Sequence, residues 1–358
     1  MIEQDTKHGI EKMEGPWRIT FDTNPDDCNL NCIMCEEFSP YSDLKQLRVL
    51  NGGPKRRRMS IELIEPVIRA GAEMGNLKEI IPSTMGEPLL YKHFDRLIEM
   101  CHKYGVKLNL TTNGTFPKKS PTEWAELLVP ITSDVKISWN GATKQTAEQV
   151  MLGVDFDQHL SNVKDFIAVR DKIHQAGGNF CRVTLQVTFM EMNYEEFPDL
   201  VKLAVDLGIN RLKGHHLWAH FDEIKDQSMR KDPETIRRWN NTVGKMEQIA
   251  EEYRLPGGEK ILLDNIYKLS PGEGTTEISH DAICPFLGRE VWVAWNGRFN
   301  PCCAPDAKRK TLGYFGNLQE ESLEEIWDST EYTNLVENYL DNDLCKSCNM
   351  RRPREDVP

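Results

Sequence analysis

Six short stretches read as strands from their alternating or β-rich residues: Trp17–Thr23, Lys78–Thr84, Val106–Thr112, Asp134–Trp139, Arg182–Phe189 and Arg211–His215. Between them, apolar residues recur at helical spacing over Ile61–Met74, Phe94–Tyr104, Thr122–Leu128, His159–Gln175 and Tyr194–Leu207. Strand and helix in alternation imply βαβ units and a parallel sheet. Ser60 is placed to cap the first of these helices, with Glu62 near the positive end of its dipole. Gln186 and Thr188 fall on one face of their strand.

Beyond residue 220 the pattern changes. A charged helix starts at Asp232-Pro233-Glu234 and runs to about Tyr253, and Ser270-Pro271-Gly272-Glu273-Gly274 reads as a linker. Val291–Trp295, then Asn296-Gly297, then Arg298–Asn300 predicts a β-hairpin. Ser322 and Glu325 form a capping box for a following helix. The expected organisation is a lead-in over 1–16, a βα domain over 17–220, a helical connector and linker over 221–280, and a small C-terminal domain over 281–358.

The composition suits a globular chain with a sizeable core, 39% hydrophobic and 28% charged over 358 residues. No apolar run reaches membrane-spanning length, and the polar N-terminus lacks the apolar core of a signal peptide, so a cytoplasmic protein without a membrane partner is expected. A net charge of −12 argues against nucleic acid as partner. Lys55-Arg56-Arg57-Arg58 reads as a solvated basic run, or as a contact for an anionic substrate or an acidic electron donor.

Ten cysteines in such a chain argue for metal centres rather than disulfides. Eight fall in two groups. Cys28, Cys32 and Cys35 stand at C-x3-C-x2-C directly after the first strand. Three thiolates on one tight loop suit three corners of a [4Fe–4S] cluster and leave one iron open, while zinc would ask for a fourth ligand nearby. Cys284 and Cys302 flank the hairpin as C-x12-G-x4-C, and Cys345-Lys346-Ser347-Cys348 adds a C-x2-C, with Cys303 beside Cys302. Four soft ligands of this kind close either a zinc site or a [4Fe–4S] cluster, and spacing alone does not separate the two. Cys101 and Cys181 read as buried structural thiols.

The first cysteine loop, with Met34 as the hydrophobic residue before its third thiol, resembles the cluster motif of radical S-adenosylmethionine (SAM) enzymes. That resemblance implies a partial (β/α)6 TIM-type barrel, with SAM chelated by the open iron. It places SAM contacts at strand ends. Gly86-Glu87-Pro88 is similar to the Gly-Gly-Glu-Pro motif that holds the SAM amino group, with Met85 in place of the first glycine. Asn113 ends the third strand, and Ser138 and Asn140 end the fourth, where the family carries a Ser-x-Asp pattern. Gln186 and Thr188 are placed toward SAM on the fifth strand. His215, His216 and His220, after the sixth, are candidates to meet substrate or accept its proton. The tail resembles a SPASM domain, shortened toward the "twitch" form. This implies an auxiliary [4Fe–4S] cluster on Cys284, Cys302, Cys345 and Cys348, with Cys303 a bystander.

Some peptide-modifying members begin with a leader-binding domain, for which the lead-in before Trp17 is too short. The expected function is oxidation or remodelling of a small polar, sugar- or cyclitol-like metabolite by a 5′-deoxyadenosyl radical, with the auxiliary cluster as electron acceptor. A flavodoxin or ferredoxin-type reductant is the expected partner. The alternatives are radical modification of a ribosomal peptide or protein, and an iron–sulfur electron carrier without SAM chemistry.

Overall fold

The computed structural model describes residues 10–270, 282–348 and 350–354. The first residues of the lead-in, most of the linker predicted from Ser270 and the boundary placed near 280 lie outside the described residues.

One sheet runs through the molecule in the order β7-β6-β5-β4-β3-β2-β1-β8-β9. Its strands are β1 (Arg18–Phe21), β2 (Glu79–Ile81), β3 (Lys107–Thr112), β4 (Thr132–Ser138), β5 (Arg182–Phe189), β6 (Arg211–His216), β7 (Leu262–Asp264), β8 (Glu290–Val293) and β9 (Phe299–Asn300). All pairs are parallel except β8 with β9, the predicted hairpin, where Trp292 faces Asn300. The helices are α1 (Leu44–Leu50), α2 (Ile61–Glu73), α3 (Phe94–Tyr104), α4 (Pro121–Leu128), α5 (Lys144–Val150), α6 (Phe156–Gln175), α7 (Phe197–Asp206) and α8 (Pro233–Glu252) in the first part. The second part adds α9 (Asp306–Arg309), α10 (Leu323–Trp327), α11 (Thr330–Glu337) and α12 (Asp343–Lys346).

The six predicted βα strands are present, in the sequential order of a partial barrel. Two additions went unread. The segment expected as connector and linker also supplies β7, which pairs with β6. The hairpin of the C-terminal part does not stand apart: β8 pairs in parallel with β1, from Arg18 opposite Glu290 to Phe21 opposite Val293. Ser60 does sit at the start of α2, but its hydroxyl turns to the Glu62 carboxylate and not to the helix backbone. The capping box of Ser322 and Glu325 forms as expected.

The two faces of the sheet differ chemically. Ile19, Phe21, Ile80, Leu108, Leu110, Val135, Ile137, Val183, Leu185, Leu212 and Val291 are buried among the core residues contributed by the helices. Cys101 and Cys181 lie in that core. The alternate, concave face is polar. Arg18 pairs with Glu79 at 2.7 Å and with Glu290 at 3.4 Å. Asn109 donates to Glu79 at 3.1 Å and accepts from Lys136 at 2.6 Å. Thr184 donates to Asp134 at 2.8 Å, Arg211 pairs with Asp134, and Asp264 lies 3.1 Å from both Arg211 and Lys213. Charged side chains thus line the interior from β8 to β7.

Burial inside this lumen draws the Lys136 pKa from 10.5 to about 8; Asp134 opposes the shift, and Arg18, Lys213 and Arg211 add to it. The folded chain therefore binds this proton less tightly than the unfolded chain does. Folding is progressively disfavoured as the pH falls from 10.5 through about 8. Lys136→Met is expected to stabilise the fold by about 1–3 kcal/mol at neutral pH. Thermal unfolding should show the gain at neutral pH and its disappearance at a pH near the free lysine value.

Candidate functional site

The loop carrying Cys28, Cys32 and Cys35 leaves the C-terminal end of β1 and is held almost entirely by groups other than its thiols. Two adjacent carboxylates anchor its base. Asp26 accepts from the Arg57 backbone at 2.5 Å and pairs with Arg57 at 2.8 Å and Arg48 at 2.9 Å. Asp27 pairs with Arg58 at 2.6 Å and with Arg56. Glu37, just past the third thiol, pairs with Arg57 at 2.7 Å. Burial alone would raise the Asp26 pKa, but the bonds and charge of Arg57, with Arg48, hold it below the usual carboxylate value. The run at 55–58 divides: Arg57 and Arg58 clamp the loop and Arg56 meets Asp27 with one edge of its guanidinium, while Lys55 and much of Arg56 stay exposed to solvent.

Under the loop, Leu30 and Ile33 pack with Val150, Met151, Val154 and Met190, and Met34 packs against the same cluster. The backbone of Asn31 and Ile33 donates to Leu152 and Val150. The three thiols remain partly exposed. Burial, with added repulsion from the other thiols, pushes Cys28 up to about 11 and raises Cys32 further, and burial raises Cys35.

Gly86-Glu87-Pro88 closes on this loop from β2. Gly86 has φ +79°, and a Cβ there would stand 2.5 Å from the Asn24 carbonyl and 2.7 Å from that of Asp27. Only glycine permits this approach. The Glu87 backbone donates to Asp27 at 2.7 Å, and its carbonyl accepts from Asn24 at 2.8 Å. The Glu87 carboxylate is fully buried and accepts from Leu89 N at 3.1 Å, Thr112 Oγ1 at 2.9 Å and Asn113 N at 2.6 Å. Desolvation nonetheless lifts it to about 7. These three donors fix the carboxylate, which ties β2 to β3 beside the cysteine loop. Pro88 begins the 3-10 turn that follows. Asn113 reaches the loop, donating to Asn29 at 2.9 Å and to Cys28 Sγ at 3.8 Å.

Farther along the strand ends, the candidates divide. Ser138 and Gln186 are register partners on the concave face and are partly exposed. Thr188 Oγ1 lies 3.2 Å from His215 Nε2 on the same face. Asn140 is buried, its side-chain carbonyl accepting from Thr188 N at 2.8 Å, and so joins β4 to β5. His215 opens into the lumen and is solvent-accessible there, yet partial desolvation of its ring, with the charge of Lys213, lowers its pKa. His216, the next residue, points outward between Phe189 and Trp239, and burial holds it neutral, down to about 3. It is a packing residue. His220 is exposed and stacks near Trp218, beside Phe221 and Tyr41. Lys136 and its charged neighbours went unread; the period-two polarity of β4 and β6 was the available signal.

The second thiol group gathers where β8 begins and β9 ends. Ile283 and Arg352 exchange backbone bonds of 2.8 and 3.0 Å, drawing the tail against Cys284. Burial raises Cys284 and Cys345 to about 12, with further repulsion from Cys302 and Cys348 in both cases. Cys303 is also near: although solvent-exposed, its thiol is pushed up by desolvation among its neighbours and by repulsion from Cys302, Cys348 and Cys284. Among the described residues no three thiol, imidazole or carboxylate groups form a closed metal-holding set. The fit to iron–sulfur clusters lies in the donor chemistry: two groups of soft thiols, one of three and one of four or five, each on preorganised loops.

Comparison with known proteins agrees with this chemistry. Residues 25–204 match the radical SAM superfamily and residues 284–349 the iron–sulfur cluster-binding SPASM domain. The chain belongs to the radical SAM superfamily, with a SPASM domain toward its C-terminus, and the family's cofactors are [4Fe–4S] clusters and SAM. It is 24% identical over 342 residues to the tungsten-containing aldehyde ferredoxin oxidoreductase cofactor-modifying protein of Pyrococcus furiosus, covering 90% of this chain and 85% of that one. Its fold is that of Streptococcus suis SuiB bound to SAM, with a TM-score of 0.64 at 19% identity, covering 96% of this chain and 72% of SuiB. It is equally that of anSMEcpe with bound SAM, with a TM-score of 0.62 at 14% identity, covering 96% and 92%. No described helix is long and apolar enough to cross a membrane.

Gly86→Ala is expected to lower the iron content of anaerobically reconstituted protein from about eight to about four per chain. Cys303→Ser should leave that content unchanged, whereas Cys302→Ser should lower it. Iron and sulfide analysis with electron paramagnetic resonance of the reduced protein reads both outcomes.

Proposed function

We propose that Cys28, Cys32 and Cys35 hold the SAM-binding cluster, that Cys284, Cys302, Cys345 and Cys348 hold the auxiliary cluster, and that the protein oxidises a small polar metabolite or cofactor precursor. Bound there, the first cluster supplies the electron that splits SAM into methionine and a 5′-deoxyadenosyl radical, and the second takes up the electron released by the substrate. The observation that carries this reading is the polar lumen, lined from β8 to β7 by paired charges, beside the loop that begins the chemistry. It suits a hydroxylated or charged small molecule. The relative matched over most of both chains bears a name that says it modifies a cofactor, which supports the same substrate size.

Ser138 and Gln186 offer polar groups toward SAM from the concave face. His215, neutral at physiological pH because partial desolvation and Lys213 lower its pKa, is poised to accept a substrate proton, with Thr188 fixing its ring. Loss of one hydrogen atom to the radical, one proton to His215 and one electron to the auxiliary centre balances a two-electron oxidation.

A second reading, modification of a peptide, is supported by exposed aromatic residues at the mouth. Trp218 is 51% exposed beneath Lys308, and Tyr41 lies near Phe221. SuiB and anSMEcpe have both been solved with peptides bound.

The test is anaerobic reconstitution with dithionite, SAM and deuterated metabolite extracts. Deuterium should enter 5′-deoxyadenosine from a small molecule; transfer only from a peptide would favour the second reading, and no 5′-deoxyadenosine at all would leave an electron carrier. Cys28→Ala should abolish 5′-deoxyadenosine. Cys345→Ala should still form it while losing oxidised product. Product formation should stay flat through neutral pH and fall only below the ordinary imidazole range, because His215 protonates late; His215→Asn should remove that limb.

A further inference from the structure

α1 is an anomaly of burial. It carries Leu44, Leu47, Val49 and Leu50, yet none of its residues is buried; Leu47 is 44% exposed and Leu50 80%. Seven residues are too few to hold a helix in water on their own propensity. What fixes α1 is Arg48, which pairs with Asp26 at 2.9 Å and Glu37 at 3.5 Å and donates to the Pro54 carbonyl at 3.2 Å. Asp26 and Glu37 stand two residues before Cys28 and two after Cys35. The helix is therefore built onto the outside of the first cysteine loop and turns its apolar residues to solvent.

The exposed charges on α1 and in the segment after it are mostly basic, with Asp43 at the N-cap as the acidic exception. Lys45 and Lys55 are exposed, and the Arg56 side chain remains 56% exposed although one edge of its guanidinium meets Asp27. The whole chain carries −12. An apolar centre with a mostly cationic rim, on a protein otherwise anionic, selects an acidic partner and repels molecules of its own kind. A patch limited to one short helix and its flanks suits a weak, transient encounter.

We propose that α1, with Lys45, Lys55 and Arg56 at its rim, is the docking surface for a small acidic one-electron carrier of the flavodoxin class, which reduces the centre on the adjoining loop. The inference rests on the proposed radical function. Each encounter transfers one electron from the reduced carrier to the protein, with no bond made or broken. The position of the patch carries the assignment: its anchor is the same carboxylate–arginine frame that holds Cys28 and Cys35, so a carrier seated on α1 stands directly outside the thiols. The barrel mouth, with Trp218 and Tyr41, is left open to substrate.

The test compares two reductants on the full chain with both clusters reconstituted. One is dithionite; the other is a flavodoxin with its NADPH-dependent reductase. Wild-type protein should form 5′-deoxyadenosine with both, and the flavodoxin-driven rate should fall as salt is raised. The double variant Leu47→Asp, Leu50→Asp should lose about tenfold or more of the flavodoxin-driven rate and keep the dithionite-driven rate. Lys45→Glu with Lys55→Glu, which leaves the apolar residues in place, should do the same and lose the salt dependence. The proposal is overturned if both rates are unchanged, if both fall together, or if the variants raise the substrate KM under dithionite, the last being the mark of a peptide docking there. Failure of wild-type protein to form 5′-deoxyadenosine with dithionite would instead remove the radical reading, and this proposal with it.

Discussion

Three thiols that are to hold a metal cluster, as proposed for Cys28, Cys32 and Cys35, cannot also hold their own loop together; their sulfur atoms must stay uncommitted while the backbone around them is fixed. Here that requirement is met by Asp26 and Asp27, two adjacent carboxylates set against four arginines from the segment that follows. Exposed ion pairs of this kind would contribute little, but the acid side chains are almost wholly buried, and a buried carboxylate without its partner is costly. The pairing is thus strongly enforced. It explains why a basic run stands twenty residues after the cysteines, and why Gly86 can bring β2 into contact with the Asn24 and Asp27 carbonyls. The loop is gripped from outside by charge, from below by Leu30 and Ile33, and from the sheet by a glycine turn.

The same economy appears in β1. Its neighbours are β2 on one side and β8 on the other, and Arg18 bonds across both, to Glu79 and Glu290. The C-terminal part is consequently continuous with the barrel sheet and shares its charged interior. A parallel sheet normally buries apolar residues on both faces. This one gives its inner face to Arg, Lys, Asp and Glu, and Glu290 is pushed up to about 7 there by burial, against the pull of Arg18. A polar interior costs stability and is retained where it holds ligands or protons.

Much of this was legible in the sequence, because the informative signals were local. Cysteine spacing, helical periodicity, the Asn296-Gly297 turn and the Ser322–Glu325 box each involve residues close along the chain. The pairing of β8 with β1 was not legible, since a parallel register across some 270 residues leaves no local trace. The three donors that Glu87 collects from Leu89, Thr112 and Asn113 were not legible either, because a motif records which residue is present and not where its carboxylate points. The histidines were a different case. Arg211 and Lys213 already set the inward parity of β6, so His215 had to face the lumen and His216 the helices; strand alternation held the answer, and three histidines in six residues obscured it.

The topology also bears on how two clusters can work in one chain without short-circuiting. The first cysteine loop follows the C-terminal end of β1. Cys302 follows β9, which runs antiparallel to β8, so the second group lies toward the opposite end of the paired strands, where Glu290 adds its charge to the repulsion felt by Cys303. On the proposed reading an electron enters outside the first loop and leaves at the far end of the sheet. The lumen lies between, with Lys136, His215 and the paired charges along it. A substrate held there would stand between the two thiol sets, and an auxiliary cluster on the second set would take its electron from the substrate radical in preference to the cluster that must keep its own for SAM.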